Sequence, residues 1–174
     1  MTIVGHSLVG ATMAVLFSPA GLYERKKAII IGVYLFAAYI PDLPLPGWGH
    51  WQYHISHSVF VNLAAILPTV VILLYLKHAK NIGSYAIILG VPLVWLSHFV
   101  LDSLYNHGQG IGIYWPFSAN KLALPIAWFS TLQITPSFLS FHNLKVLFIE
   151  FLVYFPIFLV VLFARKLFLK SHPH

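Results

Sequence analysis

Apolar residues gather along this chain into five runs, separated by short polar or proline-rich breaks. The runs extend roughly from Val4 to Phe17, Ala28 to Ile40, Val59 to Leu76, Tyr85 to Tyr105 and Val146 to Ala164. A helix needs about 20 residues to cross the hydrocarbon core of a membrane. The last three runs meet that length. The first two are short and must borrow flanking residues or lie partly inside a bundle. The pattern predicts an all-α polytopic membrane helical bundle of about five spans. Between the last two runs, Asn106 to Asn143 carries "YWPF", "LPIAW" and several Gly and Pro, which predicts an irregular, partly interfacial segment.

Composition fixes the class. Of the 174 residues, 59% are hydrophobic and 8% charged, where a soluble domain carries about 25% charged residues. Such a surface cannot be wetted, so the chain belongs in a bilayer. The hydrophobic runs leave room for a single membrane-embedded domain over residues 1–174 and for no soluble module. The absence of cysteine excludes a disulfide framework and a thiolate metal site. Met1 to His6 lacks the basic region of a signal peptide, so the first run is expected to be retained.

Charge then sets an orientation. Eight of the ten Lys and Arg residues fall on one side of a five-span arrangement: Arg25, Lys26, Lys27, Lys77, Lys80, Arg165, Lys166 and Lys170. Lys121 and Lys145 fall on the other. By the positive-inside rule the first side is cytoplasmic, with the N-terminus out and the C-terminus in. In a membrane protein such clusters report topology, and no nucleic-acid partner is expected.

With that topology the remaining polar residues form one layer. His6 opens the first span, and Asp42 in "YIPDLP" closes the second, where Pro41 favours a helix end. His50, His54 and His57 are spaced i, i+4, i+7, which places them on one face if the segment is helical. His98 and Asp102 share a face of the fourth span at i, i+4, His107 follows just beyond, and Glu150 enters the fifth span at a similar depth. Taken singly, each has a structural role open to it: an interfacial anchor, a helix stop at Asp42, a His98–Asp102 pair joining helices, or a Glu150–Lys145 pair. Such roles leave the convergence of so many ionisable groups on one membrane face unexplained, because each is costly near hydrocarbon. Imidazoles and carboxylates without thiolates suit zinc, manganese or iron. Clustered, they can hold more than one ion, and paired ions clamp both oxygens of a phosphoester displacement while activating water.

The ordered motifs resemble those of the LexA-binding, inner-membrane-associated metal-dependent hydrolases over nearly the whole chain. They are Gly5-His6, Pro41-Asp42, Ser56-His57-Ser58 and Ser97-His98-x-x-x-Asp102, followed by Trp115-Pro116-Phe117. The chain departs from the family's His-Arg-Gly-x-Thr-His-Ser, which reads "QYHISHS" here, with His54 two residues beyond the position of the first histidine. The order of ligand types is also similar to that of bacterial zinc-dependent phospholipases C. These resemblances imply a metal-dependent hydrolase of a bacterial or archaeal cytoplasmic (inner) membrane, with zinc the foremost cofactor.

The residues and the resemblance together predict phosphoester hydrolysis on a lipid or lipid-linked substrate at the outer face. His6, Asp42, His57, His98 and Asp102 are the expected metal ligands. His54, His107 and Glu150 are the expected catalytic or orienting groups. The alternative is a non-enzymatic metal-binding membrane protein, a transporter or sensor, although a transporter's site usually lies near the bilayer midplane.

Overall fold

The computed structural model describes residues 1–43, 53–80, 84–105, 110–122, 126, 128–133 and 139–171. The helices are α1 (Ile3–Phe17), α2 (Glu24–Tyr39), α3 (Tyr53–Ser56), α4 (Val59–Lys80), α5 (Tyr85–Ser103) and α6 (Phe141–Ser171), and a 3₁₀ turn, Ile40–Asp42, continues α2. Among the described residues the only β-type pairings are isolated bridges, Tyr105 with Phe129 and Ile111 with Leu122.

Among the described residues three helices are long and apolar enough to cross a membrane: α4 over Val59–Ala79, α5 and α6. The first two apolar runs do form helices, α1 and α2, but at 15 and 16 residues they rise only about 22–24 Å. Two helix starts lie well before the sequence reading for local reasons, and α4 and α6 also run on to Lys80 and Ser171. Helix α2 begins at Glu24 because that carboxylate suits the positive end of the helix and meets Lys27 at 2.7 Å. Helix α6 begins at Phe141, where the Ser140 hydroxyl accepts from the Asn143 amide at 3.2 Å as a capping side chain should.

Helix α1 occupies the middle, packed against α2, α5 and α6; α2 also packs on α5, and α4 packs on α5. Ala14, Ile30, Tyr34, Ala37, Ala38 and Val94 form the buried apolar core. Gly10 lets α1 lie close to α2: a β-carbon there would stand 3.2 Å from the Tyr34 carbonyl oxygen. Small residues serve membrane helices in this way because packing, and not water exclusion, holds them together. The outer faces of α4 and α6 present exposed Leu67, Val71, Ile72, Phe163, Leu167 and Phe168, as lipid-facing helices must.

The irregular segment after α5 closes one end of the bundle. Ile111 and Leu122 exchange backbone hydrogen bonds of 2.8 Å, Val59 N–H reaches the Ile113 carbonyl at 3.0 Å, and Trp128 N–H reaches that of Leu104 at 3.0 Å. The Asn143 side chain brackets Gln133, accepting from its N–H at 2.8 Å and donating to its carbonyl at 2.6 Å. The Trp115–Pro116 peptide is cis. The segment thus ties together the starts of α4 and α6 and the end of α5.

Candidate metal centre

The first turn of α1 is anchored from α6. Thr2 caps the helix, and Glu150, fully buried, accepts from the Thr2 N–H at 3.0 Å, from the Gly5 N–H at 2.9 Å and from the Thr2 hydroxyl. A carboxylate here satisfies amides that a helix start leaves unpaired and complements the helix dipole. Gly5 makes this possible, since a β-carbon would stand 2.9 Å from Glu150 Oε2. The consequence is a fixed aim for His6, on the next turn.

Four further groups meet His6. His98 and Asp102 come from one face of α5, His57 from the turn between α3 and α4, and Asp42 from the 3₁₀ turn. His57 Nε2 lies 3.2 Å from His98 Nε2, 3.4 Å from Asp42 Oδ1 and 3.3 Å from Asp102 Oδ2. His98 Nε2 lies 3.7 Å and 3.4 Å from the same two oxygens. His6 Nε2 faces the other oxygen of each carboxylate, at 3.7 Å from Asp42 Oδ2 and 3.5 Å from Asp102 Oδ1. The Met1 amino group also donates to Asp102 Oδ1, at 2.6 Å. The ligand-type atoms of Asp42, His57, His98 and Asp102 all lie within 4.8 Å of one another.

These separations can be tested against metal chemistry. They exceed most good hydrogen bonds. They match the edge of a coordination tetrahedron, about 3.4 Å for ligands ~2.1 Å from the ion. Both ring nitrogens of His6 and Oδ1 of Asp42 are buried with no hydrogen-bond partner among the described residues. Unpaired buried polar atoms are costly unless something else satisfies them. The donor set therefore fits a divalent cation.

The imidazoles are also pre-aimed. His98 Nδ1 sits 2.9 Å from the Ala38 carbonyl, which can only accept, so the proton belongs on Nδ1 and the lone pair on Nε2 points into the cluster. His57 Nδ1 is held by the Ser56 hydroxyl at 2.8 Å, leaving its Nε2 inward as well. Such outer partners orient metal-binding histidines generally. His6 has no such partner and is positioned by stacking on the His98 ring, 4.1 Å between centroids, and by the edge of Tyr39.

The Ser56-His57-Ser58 turn has its own support. Asn62 donates to the Ser56 carbonyl at 2.8 Å and the Ser58 carbonyl at 2.7 Å, and accepts from Trp95 Nε1 at 2.7 Å. The Ser58 hydroxyl donates to the Trp115 carbonyl. Sequence reading missed Asn62 and Trp95. The available signal was Asn62 itself, a lone amide inside an apolar span, which normally has a specific partner.

Electrostatics follow from this crowding. Burial pushes the Asp42 carboxyl up, but the His57 and His98 imidazoles beside it outweigh that and hold it at about 2. For His57, burial favours the neutral ring, and Asp102 and Asp42 outweigh it, raising the imidazole above its ordinary value.

The five expected ligands, His6, Asp42, His57, His98 and Asp102, come together. Glu150 binds the start of α1. His54 stands apart: it is exposed, with its ring edge-on to Trp115 at 5.7 Å. A single helical face through His54 and His57 does not form, because α3 stops at Ser56 and the chain turns His57 inward. His50 and His107 lie outside the described residues. His142 Nε2 lies 3.0 Å from the Thr131 carbonyl oxygen, away from the cluster.

The model of the family described as YdjM inner membrane protein matches residues 1–168. No curated protein and no solved structure matches the chain. The chain belongs to the YdjM inner membrane protein family, and with three membrane-length helices it is an integral inner-membrane protein.

Proposed function

We propose that this member of the YdjM family is a metal-dependent hydrolase acting on a phosphoester of a lipid or lipid-linked substrate. The observation that carries the reading is the inward convergence of two pre-aimed imidazoles and two carboxylates in one buried cluster. His57, His98, Asp42 and Asp102 would hold the ion, zinc foremost, with His6 beside them. A divalent ion there would polarise a phosphoryl oxygen and activate water. The chain's own residues would orient the ion, balance its charge and exclude competing water. Asp42 is 18% exposed while the other members are at most 2%, so substrate approaches over the 3₁₀ turn. Exposed Tyr114, Phe117 and Trp128 lie on the segment that closes this end. Aromatic side chains of this kind favour the membrane interface, where lipid head groups reside.

The same reading takes five crossings, with the N-terminus and the centre facing outward. The cluster is approached by the start of α1, the ends of α2 and α5 and the start of α4, with α6 anchoring α1 from its own first half. Helices that alternate direction across a bilayer meet in this way. At the other end of α1, Arg165 of α6 donates to the carbonyls of Leu16 and Ser18, so α1 and α6 run parallel. The basic residues near that end favour the cytoplasmic side. An impermeant thiol reagent added to intact cells should fail to label Arg25→Cys and should label Tyr114→Cys. Labelling at position 25 from outside would reverse the orientation.

One feature favours the non-enzymatic alternative. Four protein ligands around a single ion complete a tetrahedron, the arrangement of a structural site, whereas catalytic zinc keeps a position open. The deciding experiment measures bound metal in the purified protein together with turnover of bis(p-nitrophenyl) phosphate and a panel of phospholipids. The hydrolase reading predicts chelator-sensitive turnover that disappears in His98→Ala. Full metal occupancy with no turnover of any phosphoester would support a metal-holding protein instead.

A further inference from the structure

The two carboxylates divide their oxygens. Asp42 turns Oδ1 toward His57 and His98, at 3.4 and 3.7 Å, and Oδ2 toward His6, at 3.7 Å. Asp102 does the same in reverse lettering: Oδ2 toward His57 and His98, at 3.3 and 3.4 Å, and Oδ1 toward His6, at 3.5 Å, where the Met1 amino group also reaches it at 2.6 Å. One cation would draw one oxygen from each acid and leave the other two aimed at an imidazole it does not use. That imidazole, His6, is 1% exposed and has no hydrogen-bond partner at either ring nitrogen among the described residues. Such a group needs a reason to be there.

We infer that the centre holds two divalent cations bridged by Asp42 and Asp102, a closed position on His57 and His98 and an open one on His6. The inference rests on the reading of the cluster as a metal centre and refines it. The first position has four protein ligands: two imidazoles and one oxygen from each acid. The second has three, His6 Nε2 and the remaining oxygen of each acid, with the Met1 amino group giving up its 2.6 Å contact with Asp102 Oδ1 to the ion, and so keeps a place for water or a substrate oxygen. Charge agrees with this division. Two carboxylates bridging two dications leave a net positive centre, which attracts an anionic phosphoester and gives a neutral carboxylic ester no such charge attraction. The division also removes the objection that a four-ligand site is closed, because the reactive position is the other one. His6 is therefore the ligand on which substrate chemistry depends most, while His57 and His98 hold the ion that fixes the bridging acids. Its fixed aim explains why α1 begins with a buried carboxylate clamp: Glu150 holds the first turn, and the first turn holds His6.

The test is stoichiometry in the full-length protein purified in detergent and loaded with zinc or with manganese. Elemental analysis after desalting should give two zinc ions per wild-type chain and one in His6→Gln or His6→Ala. The Gln variant keeps the site filled should the Ala variant fold poorly, and retention of one ion itself reports an intact cluster. With manganese, the wild type should give the broadened electron paramagnetic resonance signal of an exchange-coupled pair. His6→Gln should give the six-line signal of an isolated ion. A single ion in both wild type and His6→Gln would overturn the second position while leaving the metal centre standing. Two ions in both, or loss of both in a folded His6→Gln, would overturn the division of ligands. No metal in the wild type would overturn the reading on which the inference rests.

Discussion

The two ends of α1 are both clamped by α6, with opposite chemistry and different degrees of enclosure. At the N-terminal end a carboxylate, Glu150, accepts from the helix amides; at the C-terminal end a guanidinium, Arg165, donates to the helix carbonyls. Each charge suits the helix pole it touches. Their spacing also fits: Glu150 and Arg165 are 15 residues apart, the length of α1 itself, so parallel helices bring both clamps into register. Beyond the clamps the ends diverge. Past Glu150 the polar groups point at one another and, Asp42 apart, are buried. Past Arg165 a cavity of about 470 Å³ opens between Ala14, Ile31 and Leu162 with Lys27 and Lys166 at its edge. Lys27 is 46% exposed and paired with an acid that is 88% exposed, an arrangement worth little. Buried charges demand mutual geometry, and exposed ones only a side of the membrane. The first end gathers buried ionisable groups, and the second gathers exposed basic ones.

Four substitutions would break or sharpen this contrast. The largest effect is expected from Asp102→Asn. The amide keeps the shape of the side chain but removes the charge that faces His6, His57, His98 and the Met1 amino group. Bound metal should fall by about 100-fold or more, while helical content by circular dichroism stays unchanged. Full occupancy would reduce Asp102 to a packing residue. Asp102→Ala is a poorer probe, because it also leaves neighbouring imidazoles unpaired and mixes stability with binding.

Next is Glu150→Gln. One amide oxygen can replace part of what two carboxylate oxygens accept, but the amide NH₂ would confront the N–H groups of Thr2 or Gly5. A stability loss of roughly 2–3 kcal/mol is expected, with weaker metal binding because His6 loses its aim. Unchanged thermal unfolding would show that the clamp is dispensable. Asn62→Leu should act more mildly on the fold and still reach the metal. It strips partners from Trp95 and from two carbonyls of the turn that carries His57. About a 10-fold loss in zinc affinity is expected, at the lower edge of what removal of a metal ligand's supporting shell costs. Zinc titration with a competing chelator measures it, and an affinity equal to wild type would make the Asn62 bridge irrelevant to His57.

The sequence reading recovered much of this because the signals were local. Apolar runs located every long helix, and i, i+4 spacing placed His98 and Asp102 on one face. The expected topology then placed distant motifs in one layer, so the five residues that meet in the cluster could be named as candidates without a contact in hand. What it missed depends on three-dimensional placement that periodicity does not encode. A helical face through His54 and His57 assumed that α3 continues, yet Ser56 ends it. Glu150 is expected as a catalytic or orienting group from its depth; that it attaches to the start of α1 depends on the packing of helices far apart in sequence. The division of carboxylate oxygens between His6 and the other imidazoles is a matter of side-chain rotation, which no spacing carries.

The smallest effect is expected at the open end, and it tests whether the two ends are independent. Arg165→Ala removes two hydrogen bonds to the carbonyls of Leu16 and Ser18, which water or a lipid head group can replace in part because this region is exposed. A loss of about 1 kcal/mol is expected, seen as a drop in Tm of about 2–4 °C. Zinc affinity should not change, because α1 remains fixed at its other end by Glu150 and by the close contact of Gly10 with α2. A 10-fold fall in affinity would mean that α1 slides or tilts as a rigid rod and carries His6 out of line. The clamps would then be one device, and the contrast between an enclosed polar end and an open basic end would fail. Arg165→Lys separates these outcomes further: it keeps the charge but not the planar fork that engages two carbonyls together. If stability returns with Lys, charge at the helix pole is the cause, and if it does not, the paired hydrogen bonds are.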